Sequence, residues 1–317
     1  MFRKTTVILL IIIIGIIYSC GSKPAAAEPE EIIEEAAEEA AQEVIVVPEP
    51  TRAELVMRAL LEAYPEQIEE VEFRNDDWAV LLKGKWYYYA NGRILQENKA
   101  EDFENFRSYQ FYGYPAELPP WRERTPEETA RFGTMAASRR QITVRRSNDF
   151  LDDLWQASTR AEAERNIVTV TFLGRSVKIN KLIQKRVIAV ERDIRAAARA
   201  DSGVQTWINS IDTLEGYVWR NVADTQSRSY HAYGIALDIL SRRTMGNLQT
   251  YWLWTSQYRD DWWNVSYRER YHPPDAVIKA FEANGFIWGG KWLLFDTMHF
   301  EYRPELLILS GMTLNAP

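Results

Sequence analysis

Ser229-Tyr230-His231-Ala232-Tyr233-Gly234-Ile235-Ala236-Leu237-Asp238 is the stretch on which the reading of this 317-residue chain turns. From Gly234 it alternates with the period of a β-strand. Ile235, Leu237 and Ile239 form an apolar face for a core, while Gly234, Ala236 and Asp238 face the other way. That second face reads as shallow, with one carboxylate on it, where a ligand or metal can approach the backbone closely. An acid inside such a strand is costly unless it is paired or metal-bound. His231 lies just ahead of the strand, placed to fold over the same face.

A second cluster follows near the C-terminus, Gly289-Gly290-Lys291-Trp292-Leu293-Leu294-Phe295-Asp296-Thr297-Met298-His299-Phe300-Glu301-Tyr302. Met298, Phe300 and Tyr302 alternate against His299 and Glu301, so His299 also stands on a strand face. The chain has three histidines, and two of them fall in these clusters. Zinc commonly takes two imidazoles and a carboxylate from a protein and keeps a fourth position open for water. His231, Asp238 and His299 supply that set for one Zn2+ per chain, and other divalent metals suit the same donors. Asp296, three residues ahead of His299, is the natural base for an activated water. On spacing alone, packed or surface histidines remain the competing reading.

Ser229 to Asp238 resembles the S-x-H-x-x-G-x-A-x-D signature of the zinc D-alanyl-D-alanine carboxypeptidases and L-alanyl-D-glutamate endopeptidases. Trp292 and Asp296-Thr297-Met298-His299-Phe300-Glu301 resemble that family's second element, W…D-x-x-H-F-E/Q, in the expected order. An aspartate at 296, with Gly285-Phe286 and Trp288-Gly289-Gly290 ahead of it, is similar to the endopeptidase-like branch rather than to the vancomycin-resistance dipeptidases. The resemblance spans roughly residues 165 to 310. It implies that His231, Asp238 and His299 hold zinc, that Asp296 is the base, and that peptidoglycan stem peptides are the substrate. Arg220 looks like the family's arginine before the signature, placed to steady an oxyanion or clamp a carboxylate; an ordinary surface arginine is its competing reading. Ser229 and Tyr233 are implied, more weakly, as substrate-binding residues. The fold implied is α+β, with a small antiparallel sheet flanked by helices, Hedgehog/D,D-peptidase-like. Because the Hedgehog signalling domain shares that fold and metal site, a non-catalytic wall-binding or partner-binding protein is the alternative. The acid at 296 and the arginine at 220 favour an enzyme.

Outward from these clusters, the chain divides by pattern. Residues 51–125 read as a small α+β subdomain: a helix over Glu54–Tyr64, a hairpin of Trp78–Leu82 and Trp86–Ala90 about Lys83-Gly84, then an irregular aromatic run from Phe103 to Trp121. Residues 126–164 read as a helical connector, opened by Thr125 as N-cap and Pro126 at the first helical position, with a second helical stretch over Asp149–Arg165. Residues 165–317 hold the expected catalytic domain: a strand at Ile167–Phe172, a helix at Asn180–Arg199, and strands at Thr213–Trp219 and Ile235–Leu240. Trp252, Trp254, Trp262 and Trp263 read as packing, with stacking on sugar rings as the competing reading, and His272 as structural.

At the N-terminus, Arg3-Lys4, the apolar run Val7–Ile17 and Ser19-Cys20 describe a secretory signal over residues 1–19. Ile17-Tyr18-Ser19-Cys20 resembles a lipobox, which makes Cys20, the chain's one cysteine, the expected lipidation site and membrane anchor. Residues 20–50 form an acidic Ala/Glu/Pro linker that, fully extended, reaches about 100 Å. The expected location is the cell envelope, facing the periplasm. A net charge of −7 argues against nucleic acid as a partner, and nothing in the sequence sets an oligomeric state.

Overall fold

Left-handed turn residues organise the first sheet. Asn75 and Asp76 at φ 49° and 60°, then Lys83 and Gly84 at 51° and 70°, make two tight reversals, the mirror-image turns whose twist suits antiparallel strands. They join β1 (Ile68–Arg74), β2 (Asp77–Leu82) and β3 (Lys85–Tyr88), and β4 (Leu95–Gln96) completes the order β1-β2-β3-β4. Helix α1 (Arg52–Ala63), capped by Thr51, precedes this sheet and buries Val56, Met57, Ala59 and Leu60. β1 has no strand signal in its sequence because Glu69, Glu70 and Glu72 face solvent at the sheet edge. Among the described residues, the run from Phe103 to Trp121 is irregular apart from a short turn of helix at Phe103–Asn105.

The structure, a computed structural model, describes residues 49–109, 111–138, 144–223, 225, 227–241 and 246–316. The expected signal segment, Cys20 and nearly all of the expected linker lie outside them. Among the described residues no helix is long and apolar enough to cross a membrane.

Helix α2 (Pro126–Ser138) starts at Thr125, whose Oγ1 accepts from Glu128 N at 3.2 Å while Glu128 returns a bond to Thr125 N at 3.0 Å. The single helical stretch expected over Asp149–Arg165 is instead two helices. α3 (Asp149–Trp155) stops at Gln156, which turns left-handed at φ 52°, and α4 (Arg160–Arg165) restarts on the cap Thr159. A hairpin of β5 (Ile167–Phe172) and β6 (Arg175–Asn180) leads, through a 3-10 turn capped by Asn180, into α5 (Gln184–Ala200). α5 buries Val187, Val190 and Ile194 along one stripe, and α6 (Ser202–Ser210) follows.

The second four-stranded sheet carries the site. Its strands are β7 (Thr213–Glu215), β8 (Ala236–Leu240), β9 (Phe286–Trp288) and β10 (His299–Tyr302), in the order β7-β8-β10-β9 with every pairing antiparallel. β7 ends at Glu215, short of the strand expected to Trp219. At Gly216 the chain crosses β6 so closely that a Cβ would stand 2.2 Å from the Lys178 carbonyl oxygen. α7 (Asp275–Ala283) and α8 (Pro304–Leu309) flank the sheet. The fold is therefore α+β, with small antiparallel sheets flanked by helices. One buried cluster runs from Val56 and Leu60 of α1 through Phe150, Ile183, Ile235 and Phe281 to Tyr302, so the segments read separately from sequence share a core. Residues 50–317 form one compact unit.

Candidate metal centre

Two strands and one turn bring three donors together. His299 on β10 pairs directly across the sheet with Asp238 on β8. His231 sits in a 3-10 turn over Tyr230–Tyr233, just ahead of β8. Ser229 caps that turn, its hydroxyl accepting from the His231 backbone N–H at 3.3 Å. His299 Nδ1 lies 2.8 Å from Asp238 Oδ1, and His231 Nε2 lies 3.2 Å from Asp238 Oδ2 and 3.3 Å from His299 Nδ1. One ligand atom from each residue falls within 4.8 Å of the others, and all three residues are buried.

The far side of each ring sets its tautomer. His231 Nδ1 is 2.6 Å from the Gly216 carbonyl oxygen, which only accepts, so Nδ1 carries a proton and Nε2 is the ring nitrogen that faces Asp238 and is left to bind a cation. His299 Nε2 is 3.1 Å from Glu301 Oε2, which leaves Nδ1 as its inward nitrogen. Oxygen partners behind both imidazoles are the arrangement that orients metal-ligating histidines. Without a cation the cluster satisfies itself as an ion pair. Against the opposing effect of burial, Asp238 and Glu301 hold His299 protonated well above the usual range, while His231 and His299 hold Asp238 well below its own.

Asp296 stands beside this group in the turn before β10. Its backbone N–H donates to Gly289 O at 3.0 Å, its carbonyl accepts from His299 N at 3.2 Å, and it bridges to Tyr251. Burial pushes its carboxyl up to about 7; His299 and Arg220 act against the rise and Asp238 and Glu301 add to it. Its Oδ1 is sheltered and has no hydrogen-bond partner among the described residues. A buried orphan oxygen needs a partner that the protein does not supply. Two inward imidazole nitrogens, a carboxylate and this orphan oxygen fit a divalent cation with a water beside it.

Residues 223–302 match the family model described as D-alanyl-D-alanine carboxypeptidase. That span is peptidase-like. It contains His231, Asp238, Asp296 and His299, and it ends one strand residue beyond Glu301. Residues 56–111 match a model described only as a domain of unknown function. Nothing matched among curated proteins or among solved structures.

The other expected site residues separate. Arg220 is exposed, at the mouth of the loop bridged by Asn221 and Arg228, and its charge reaches Asp296. Ser229 is buried as the cap that places His231, a role behind the ligand. Tyr233 is corrected from a cleft residue to a core residue: it exposes no surface, and its hydroxyl donates to Asp152 at 3.2 Å. Trp252, Trp262 and Trp263 are packed together, as expected, whereas Trp254 is half exposed. A surface cleft of about 550 Å³, lined by Trp207, Tyr271 and His272 among others, includes none of His231, Asp238, Asp296 and His299 in its lining. Its histidine, His272, stands 3.7 Å from the exposed carboxylate of Asp275.

Gly234 also needs correction. It is not a small residue opening a shallow face. It turns left-handed at φ 71° where the chain presses on the β5–β6 hairpin, and its carbonyl accepts from Asn180 N at 2.8 Å. A Cβ there would meet Ile167 Cδ1 at 2.5 Å and Asn180 N at 2.7 Å. Gly234→Ala is expected to destabilise the fold by about 3 kcal/mol, combining ~1–2 for the left-handed backbone with ~1–3 for overpacking. Denaturant melts of the two proteins check this; equal midpoints and slopes would refute the close crossing.

Proposed function

We propose that the chain is a zinc-dependent peptidase that hydrolyses D-amino-acid-containing peptide bonds in peptidoglycan, either D-alanyl-D-alanine or L-alanyl-D-glutamate. The observation that carries this reading is the buried His231–Asp238–His299 group beside an acid whose Oδ1 lacks a partner. His231 Nε2, the Asp238 carboxylate and His299 Nδ1 would hold the ion. A zinc ion there supplies Lewis-acid polarisation of the scissile carbonyl and makes water acidic enough to attack near neutral pH.

The residues around it do the proton work. Asp296 takes a proton from the attacking water and returns it to the leaving nitrogen, so amide and water become a carboxylic acid and an amine, which end as carboxylate and ammonium, with no net change at Asp296. In the metal-free site burial raises this carboxyl above the ordinary aspartate range, toward the neutral pH at which a general base works best. Gly289 and Tyr251 fix the Asp296 backbone, so its placement does not depend on its side chain. Arg220, exposed and within electrostatic reach of Asp296, steadies negative charge at the carbonyl or takes up a substrate carboxylate. An export signal and lipidation at Cys20 belong to the same proposal, placing the enzyme in the envelope beside its substrate.

Digestion of purified peptidoglycan, with products read by mass spectrometry, tests the reading. The expected result is release of D-alanine, or of fragments cut between L-Ala and D-Glu, that stops with chelator and returns with zinc. No cleavage by folded, zinc-loaded protein would replace the enzyme with a wall-binding protein.

A further inference from the structure

The ligand strand continues as a line of buried charge. His299 and Glu301 share one side of β10, Arg303 follows one residue past the end of the strand, and Glu305 lies in the first turn of α8. Behind His299, Glu301 Oε2 holds Nε2 at 3.1 Å while Glu301 Oε1 faces Arg303 Nη1 at 3.4 Å. Arg303 Nε donates to Glu305 Oε1, and the other Glu305 oxygen accepts from the Tyr64 hydroxyl at 2.7 Å. Glu301, Arg303, Glu305 and Tyr64 are each 5% exposed or less.

Arg303 serves the second histidine as well. Its Nη1 donates to the Tyr230 hydroxyl at 2.9 Å, and Tyr230 is the residue before His231. One guanidinium thus touches the carboxylate behind His299 and the turn that carries His231. A buried charge row is not explained by stability alone, since apolar side chains of similar volume usually stabilise a core as well or better. Tyr64 is the C-terminal cap of α1, 241 residues away in sequence, within the span matched only to a domain of unknown function. Its ring is locked edge-on by Trp155 at 5.6 Å and by Tyr302 of β10 at 6.3 Å.

From this we infer that Tyr64, Glu305 and Arg303 are positioning residues of the metal centre. They hold Glu301 and Tyr230 so that His299 Nδ1 and His231 Nε2 face Asp238. The N-terminal segment is then a working part of the centre rather than a separate docking module. This inference rests on the metal reading above.

The test uses metal affinity rather than activity. Zinc affinity is measured by chelator competition and ligand geometry by the visible absorption of the cobalt-substituted protein, for the parent, Tyr64→Phe and Glu305→Gln. Tyr64→Phe keeps the ring and its contacts and removes only the hydroxyl. Outer-sphere partners of metal ligands typically contribute 10- to 100-fold in affinity. Glu305 reaches His299 only through Arg303 and Glu301, so Glu305→Gln is expected to weaken zinc binding by less than that range, about fivefold, and Tyr64→Phe, one bond further out, about threefold; both shift the cobalt bands. Parent affinity and parent spectrum in both variants would overturn the inference, even if metal-free stability fell. Should Glu305→Gln fail to fold, Tyr64→Phe decides alone. A parent that binds neither zinc nor cobalt would instead sink the metal reading, and the inference with it.

Discussion

Asp296→Asn is expected to keep zinc within about tenfold of the parent affinity and to lower turnover on peptidoglycan peptides by about 10³-fold, close to 4 kcal/mol of barrier. The amide matches the carboxylate in shape, and the backbone at 296 is held by Gly289 and Tyr251 whatever the side chain is. The substitution therefore removes a proton acceptor and little else. Asp296 is not one of the three donors that fall within 4.8 Å of one another, so the ion keeps its protein ligands. Losing a negative charge next to Asp238 weakens cation binding only indirectly. Zinc content by elemental analysis and kcat on a defined stem peptide separate the two effects. Unchanged turnover in a zinc-loaded variant would remove Asp296 as the base and leave Arg220 and the ion to account for catalysis.

Why the donors could be found in the sequence, and their supports could not, follows from where each signal resides. Asp238 and His299 each interrupt an apolar alternation, and an acid or imidazole among Leu237, Ile239, Phe300 and Tyr302 stands out at period two. The structure brings these two opposite one another, with His231 on the adjoining turn and Asp296 beside them. Gly216 contributes a carbonyl oxygen to His231, and no side-chain pattern marks a carbonyl. Glu301 was visible as an alternating residue, but its contact with His299 Nε2 depends on a rotamer. Tyr64 lies 241 positions from Glu305, beyond any local periodicity. Tyr233 and Gly234 were misread for one reason: short-range pattern shows which residues share a strand face, not what lies against that face. The β5–β6 hairpin covers Gly234, and Asp152 of α3 takes the Tyr233 hydroxyl. The helices α6 and α7 carry little signal in the sequence. α6 carries Gly203 and several polar residues, and α7 begins directly after Pro273-Pro274 with little capping signal.

Asp238→Ala is expected to abolish zinc binding at micromolar metal and with it all chelator-sensitive hydrolysis. Asp238 is the group that both histidines face, at 2.8 Å from His299 and 3.2 Å from His231, and it is the one anion among the three donors. Without it a dication meets two neutral rings in a buried site, with no protein charge among its ligands to offset the loss of water. A ligand that binds only the folded state stabilises it by about 4 kcal/mol at a thousandfold excess over Kd, which for a unit of this size is roughly 10 °C in Tm. Zinc should therefore raise the Tm of the parent by that amount and leave Asp238→Ala unmoved. The metal-free comparison carries separate information. In the parent, Asp238 partners a His299 held protonated well above its usual range. That pairing contributes stability which is complete below the ordinary histidine pKa of about 6.5 and fades as pH rises through the raised value. The variant loses this contribution, so without metal it should melt below the parent at pH 6, with the gap narrowing toward high pH. A zinc-induced Tm shift of parental size in Asp238→Ala would mean that the ion sits elsewhere, and that the buried triple is an ion-paired core feature instead of a metal centre.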